Sequence, residues 1–115
     1  SAPHELALLR MKAAGIPVPA VIVAAEDVTR GKPAPDCFQL AARRLGVDAR
    51  DCLVFEDAPA GIAAAEASGA SLMVISATHT HPIATLHASI ASYDELGITV
   101  DDRGGIELAP SRAAA

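Results

Sequence analysis

The sequence predicts an α/β domain built on an open parallel sheet with helices on both faces. Three observations lead there. Continuous apolar runs at 20–24, 52–55 and 72–75 have the length, and the lack of alternation, of strands covered on both faces. Segments with apolar residues at helical spacing lie between these runs. Gly15, Gly46 and Gly69 stand where those helical segments should stop.

Taken in order, Leu6, Leu9, Ala13 and Ala14 repeat at helical spacing after Pro3, and Pro17 and Pro19 lie beyond the stop at Gly15. The run at 20–24 is the first strand. A loop with Glu26, Asp27, Thr29 and Arg30 then reaches Lys32. From 35 to 45, Phe38, Leu40, Ala41 and Leu45 define a helix whose Arg43 and Arg44 face water. The strand at 52–55 is followed by an Ala-rich helix at 61–68 and the third strand at 72–75. Pro82 suits the first turn of a short helix, and 89–91 a fourth short strand. Ile98 and Val100, a turn Asp101-Asp102-Arg103-Gly104-Gly105, then Ile106 and Leu108 predict a terminal hairpin, with a frayed tail at 111–115. Asp101 and Asp102 fit turn geometry, and metal ligation is the alternative.

The 115 residues suit a single domain, and no repeat or shift in composition divides them. With 51% hydrophobic but only 3% aromatic residues, the core must be assembled from Ala, Val, Leu and Ile. A net charge of −5 without a basic stripe excludes nucleic acid as the main partner. No apolar run approaches the ~18 residues of a membrane span, and the start has no basic region leading into a hydrophobic stretch, so the cytoplasm is the expected location. The chain opens on Ser1 and runs straight into a helix, as a piece of a longer protein would. Cys37 and Cys52 lack C-x-x-C spacing and read as reduced structural thiols.

Two motifs carry chemistry. Glu56-Asp57 follows the strand at 52–55, and the carboxyl ends of parallel strands are where ligands gather. Adjacent carboxylates there suit Mg²⁺, which commonly takes one or two of them plus a phosphate. They also suit a solvated turn in which Asp57 caps the next helix. Lys32 sits between Gly31, which removes side-chain bulk, and Pro33 and Pro35, which stiffen the backbone, so its ammonium can be held near an anion. A lone loop lysine is otherwise surface charge. No Walker loop is present, since Pro33 follows the lysine, and there is no GxGxxG. His79-Thr80-His81 has metal-ligand spacing without a third ligand nearby, and is equally a polar loop whose Thr80 or His81 caps the helix near Pro82. His4 and His87 have no neighbour in sequence that suggests a role.

Together, "GKPAPDCFQLAARRLGV" and "CLVFEDAPAGIAAAEASGA" resemble the third and fourth motifs of the haloacid dehalogenase superfamily, in its branch of small sugar and polyol phosphate hydrolases. The resemblance runs to about Leu96 and takes in "ATHTHP". It implies a three-layer Rossmann-like core in which Lys32 stabilises the charge of the nucleophile and phosphoryl group, while Asp57, helped by Glu56, holds Mg²⁺. Ser1 lies at, or one residue beyond, the family's phosphate-binding Ser or Thr. In the family the nucleophile is an aspartate of a D-x-D pair on the first strand, and no D-x-D occurs here. The implied object is a C-terminal core piece, without first strand, cap or nucleophile, from an Mg²⁺-dependent phosphomonoester hydrolase of small phosphorylated metabolites. On this reading residues 1–97 are a partial core and 98–115 a hairpin-like extension and tail. Alone, these residues are expected to be inactive, because Lys32 and Asp57 have no nucleophile to serve. A phosphomutase of the same family shares every motif, and a non-catalytic α/β piece that self-associates through an exposed sheet edge is the contrasting class.

Overall fold

The computed structural model describes residues 2–76 and 87–111. They fall into two compact units, Ser1–Leu72 and Met73–Ala115. The helix near Pro82, the His79 and His81 loop, Ser1 and the last four residues lie outside the described residues.

In the first unit, α1 spans His4–Ala13, with Glu5 in its first turn and Arg10 and Lys12 in its last, each sign matching the helix dipole. Gly15 at φ 70° ends it. None of its residues is buried, and Leu9 is 63% exposed, so the apolar stripe expected to face a core is uncovered. Helix α2, Asp36–Leu45, stops at Gly46, whose φ of 75° gives the left-handed cap, with Val47 N–H bonded to the Ala42 carbonyl. Helix α3, Pro59–Ser68, begins two residues before the predicted start because Pro59 takes the first helical position, and it ends at Gly69.

Helices α2 and α3 pack on each other through small residues. Ala42, Ala64 and Ala65 are buried, which is the fine-grained core the composition demands. Ser68, buried among them, donates to the Ala65 carbonyl at 2.6 Å and accepts from Ala70 N–H, so its hydroxyl is satisfied. Cys37 and Cys52 are both free thiols.

Strands β1, Leu53–Glu56, β2, Ser71–Ile75, and β3, Ala88–Ile90, form a three-stranded sheet in that order. Strand β2 begins beside β1, where Ser71 N–H bonds the Cys52 carbonyl. Its last three residues pair in parallel with β3, from Met73 opposite Ala88 to Ile75 opposite Ile90. Strand β2 is the buried one, with Val74 fully enclosed. Strand β1, expected to be covered on both faces, is only half-buried because it is an edge.

The run at 20–24 forms no strand, against expectation. Its backbone is extended at Ala24, but a strand needs a ladder, and no strand among the described residues offers one. The Ile22 carbonyl instead accepts from Arg44 Nη1 at 3.0 Å.

The hairpin forms as predicted from β4, Leu96–Val100, and β5, Ile106–Pro110, paired antiparallel. Its turn is held by Asp101, whose Oδ1 accepts from Arg103 and Gly105 N–H, with Gly104 at φ 78°. Asp101 thus plays the turn role. No described helix is long and apolar enough to cross a membrane.

Candidate functional site

The site is built where β1 ends and α3 begins. Glu56 is the last residue of β1, Asp57 follows it, and Pro59 opens the helix. The loop from 28 to 35 brings Lys32 to the same place: its Nζ donates to Glu56 Oε2 at 2.7 Å. The Lys32–Pro33 peptide is cis. The ammonium also sits 5.1 Å from the centre of the Phe38 ring, presented by α2. Side-chain exposure is 27% for Lys32 and 10% for Glu56, so the pair is largely withdrawn from water.

The second carboxylate oxygen of Glu56 accepts from the backbone N–H groups of Asp57 and Ala58, at 3.1 and 3.3 Å. Both oxygens are engaged, which aims the lysine and pins the turn. The residue at the cap position of helix α3 is Ala58. Asp57 is half-buried and follows directly after the strand end.

Sequence reasoning brought Lys32, Glu56 and Asp57 to one spot; the structure joins Lys32 to Glu56, and Asp57 is the next residue in the chain. It credited Gly31 with relieving bulk, yet a Cβ there would meet nothing within 4 Å. The glycine that matters is Gly61, in the first turn of α3, where a Cβ would overlap the Glu56 carboxyl group. Ser1 lies outside the described residues.

Behind Lys32 is a cavity of about 250 Å³, walled by Val23, Ala24, Val28, Phe38 and Ala41. Beside it sits a pair that sequence reasoning missed. His4 Nε2 lies 2.5 Å from Asp27 Oδ2, which also accepts from Ala24 N–H at 2.7 Å. The Ala24 bond, with help from His4 and Arg44 against a smaller opposing effect of burial, lowers the Asp27 pKa. These contacts tie the start of α1 to the loop that delivers Lys32.

No group of three His, Cys, Asp or Glu side chains among the described residues could cage a metal. A cation here would draw on Asp57, with Glu56 already engaged, a small set of hard oxygen donors that fits Mg²⁺ better than zinc.

A family model for haloacid dehalogenase-like hydrolases matches residues 1–69, more than half the chain and all of the site just described. The chain belongs to the haloacid dehalogenase-like hydrolases. Among curated relatives, hexitol phosphatase A of Escherichia coli is 36% identical over 102 residues, covering 88% of this chain and 47% of that protein. Fructose-1-phosphate phosphatase of the same organism is 56% identical over 48 residues, 42% of this chain and 26% of that one. A haloacid dehalogenase family IA hydrolase from Entamoeba histolytica superposes with a TM-score of 0.68 at 25% identity, over 84% of this chain and 47% of the other. A family member from Deinococcus radiodurans, solved with bound phosphate and sodium, gives 0.62 at 34% identity over 64% of this chain and 34% of that one. The chain spans about half the length of the first of these relatives, 47%.

Proposed function

We propose that this chain supplies the lysine and metal-binding half of an Mg²⁺-dependent phosphomonoester hydrolase acting on a small sugar or polyol phosphate. One observation carries the reading: the Lys32 ammonium is fixed by Glu56 at the end of a sheet strand, one residue from the carboxylate of Asp57.

Phosphoryl transfer is mostly positioning and neutralisation of oxygen charge. Lys32, held against Glu56 and Phe38, offers a positive charge whose position is set before substrate arrives. Glu56 is the positioning group, since its carboxylate is occupied by the lysine and two backbone donors. Asp57 is the residue that would hold Mg²⁺, with Glu56 as the nearest second carboxylate. Bound there, the cation would neutralise phosphoryl oxygen charge. The phosphate and sodium bound in the Deinococcus relative, an anion and a hard cation, support this division of labour. The names of the curated relatives support small phosphorylated metabolites as the substrate class. With no D-x-D pair in these residues, the nucleophile comes from polypeptide outside them.

The test is a titration of the 115-residue chain with MgCl₂ and with inorganic phosphate, followed by amide and carboxyl NMR, beside hydrolysis assays on a panel of sugar and polyol phosphates. Expected are Mg²⁺ shifts centred on Asp57 that disappear in Asp57→Asn, phosphate shifts that disappear in Lys32→Ala, and no turnover. Turnover lost in both variants would show a nucleophile within the chain and overturn that part of the reading. Absence of both binding events and of turnover would overturn the whole.

A further inference from the structure

Lys32 stands in front of open space. The cavity of about 250 Å³ between Ala2, Ala24, Val28 and the lysine stem means that close packing does not support the loop from behind. Glu56 holds the ammonium, but the backbone that carries it depends on what tethers the two ends of the loop. Downstream, Arg30 and Asp36 close the loop through two bonds, Nη2 to Oδ1 at 2.8 Å and Nε to Oδ2 at 3.3 Å. Arg30 is 69% exposed, so that pair works largely in water and contributes little.

Upstream the tether is Asp27, whose side chain is only 17% exposed. Its Oδ2 accepts from Ala24 N–H at 2.7 Å and from His4 Nε2 at 2.5 Å, with Arg44 Nη1 3.8 Å away. The Ala24 bond, the largest cause of its lowered pKa, keeps it ionised at neutral pH. An ionised carboxylate only accepts, so Nε2 of the imidazole carries the proton. His4 grips the same segment a second time, because its backbone N–H donates to Glu26 Oε1. With the bond from Ala25 N–H to the Ala2 carbonyl, three bonds hold residues 2–4 on residues 25–27. Ala2 is thereby set against the cavity that Lys32 also lines.

We propose, building on the phosphatase reading, that His4 and Asp27 are positioning residues for phosphate binding at Lys32. Among the described residues no hydrogen bond joins either of them to the lysine, so they act through the backbone. Asp27 fixes the point from which the loop departs, and residues 28–31 carry that position to Lys32. His4 makes the same point part of the start of α1, so the loop cannot shift without moving the helix. Charge gives the proposal a sign. A carboxylate in the loop that presents an anion-binding lysine opposes phosphate by its field alone, and its removal would then tighten binding. Acting by position, its removal weakens binding instead.

Inorganic phosphate titrated into the 115-residue chain and followed by amide NMR tests this, with Asp27→Ala, His4→Ala and His4→Gln alongside. The expected result is a phosphate Kd raised about threefold or more by Asp27→Ala and by His4→Ala, and restored to within about twofold by His4→Gln, whose amide reaches the place of Nε2 without its charge. Mg²⁺ shifts at Asp57 should stay the same in every variant. Tighter phosphate binding in Asp27→Ala overturns the proposal, as does unchanged affinity in His4→Ala. A His4→Gln variant as weak as His4→Ala marks charge rather than position, and a matching loss of the Mg²⁺ shifts marks general loss of structure; each overturns it too. If the unaltered chain binds no phosphate, the phosphatase reading fails and takes this proposal with it, whereas binding that the variants leave untouched sinks the positioning role alone. Should Asp27→Ala fail to fold, the two His4 variants and amide relaxation without phosphate decide. Gly31, Lys32 and Ala34 should then gain ps–ns motion in His4→Ala and not in His4→Gln, and equal motion in both overturns the proposal.

Discussion

Lys32 Nζ donates to Glu56 Oε2 at 2.7 Å, and the rest of the candidate site is arranged around that bond. Glu56 is the hub, because its other oxygen holds the Asp57 and Ala58 amides that start the turn into α3. Removing the carboxylate would leave a largely withdrawn ammonium and two amides without their acceptor.

Glu56→Ala should therefore lower the unfolding free energy by about 1 to 3 kcal/mol, the usual scale for losing hydrogen bonds to a charged group. Lys32→Ala should cost less, since Glu56 keeps its two backbone donors. Urea denaturation of both single variants and the double variant gives the coupling energy. A value indistinguishable from zero would mean that the two side chains do not act as a pair.

Gly61→Ala is a contest of sign. Helix propensity alone favours alanine inside a helix by about 1 kcal/mol. Against this, the added Cβ overlaps the Glu56 carboxyl group, which can retreat only by releasing Lys32. The expected outcome is a net loss of about 1 to 3 kcal/mol, with overpacking the dominant effect. The measurement is thermal unfolding, and a raised melting temperature would show that Glu56 moves aside at little cost.

These residues also show what the sequence discloses and what it withholds. Lys32, Glu56 and Asp57 were legible because each belongs to a short local pattern: a lysine framed by glycine and prolines, and a carboxylate pair ending an apolar run. Helix ends at Gly46 and Gly69 were legible because left-handed caps favour glycine on local grounds. The run at 20–24 read as a strand because it is apolar and unbroken, but a strand is defined by its partner, which local pattern cannot supply. The His4–Asp27 contact joins residues far apart in the chain and leaves no periodic trace. Gly61 read as the start of the Ala-rich helix, while its role follows from a side chain five positions earlier folding back on it.

Gly31 and Gly46 make a paired prediction. A Cβ at either position meets nothing within 4 Å, so bulk is irrelevant at both. Gly46 sits at φ 75°, where an L side chain costs about 1 to 2 kcal/mol, and Gly31 is not in the positive-φ region. Gly46→Ala should lower stability by about that amount, whereas Gly31→Ala should be neutral or add a few tenths to about 1 kcal/mol by restricting the unfolded chain. Chemical denaturation compares them directly. Equal losses at the two sites would show that the loop before Lys32 needs glycine for a reason other than backbone handedness.

Acid titration probes the turn before β1. Asp48 accepts from the Arg50 side chain, with bonds to Nε and Nη2, and from the Arg50 backbone N–H, and the side-chain bond is the larger cause of a pKa lowered from 3.8 to about 2. A carboxylate with a depressed folded-state pKa contributes stability that is fully present above its unfolded value. That contribution is lost as pH falls through the folded value. For Asp48 the window runs from about pH 4 down to about pH 2. Carboxyl NMR of the folded chain should give an Asp48 midpoint near 2 that moves back toward 3.8 in Arg50→Gln, while the Asp48→Asn variant should lose that part of the acid dependence of stability. Because the pair is exposed, added salt should weaken the shift as well. An Asp48 midpoint near 3.8 in the unaltered chain would show that the Arg50 contact does not persist in solution.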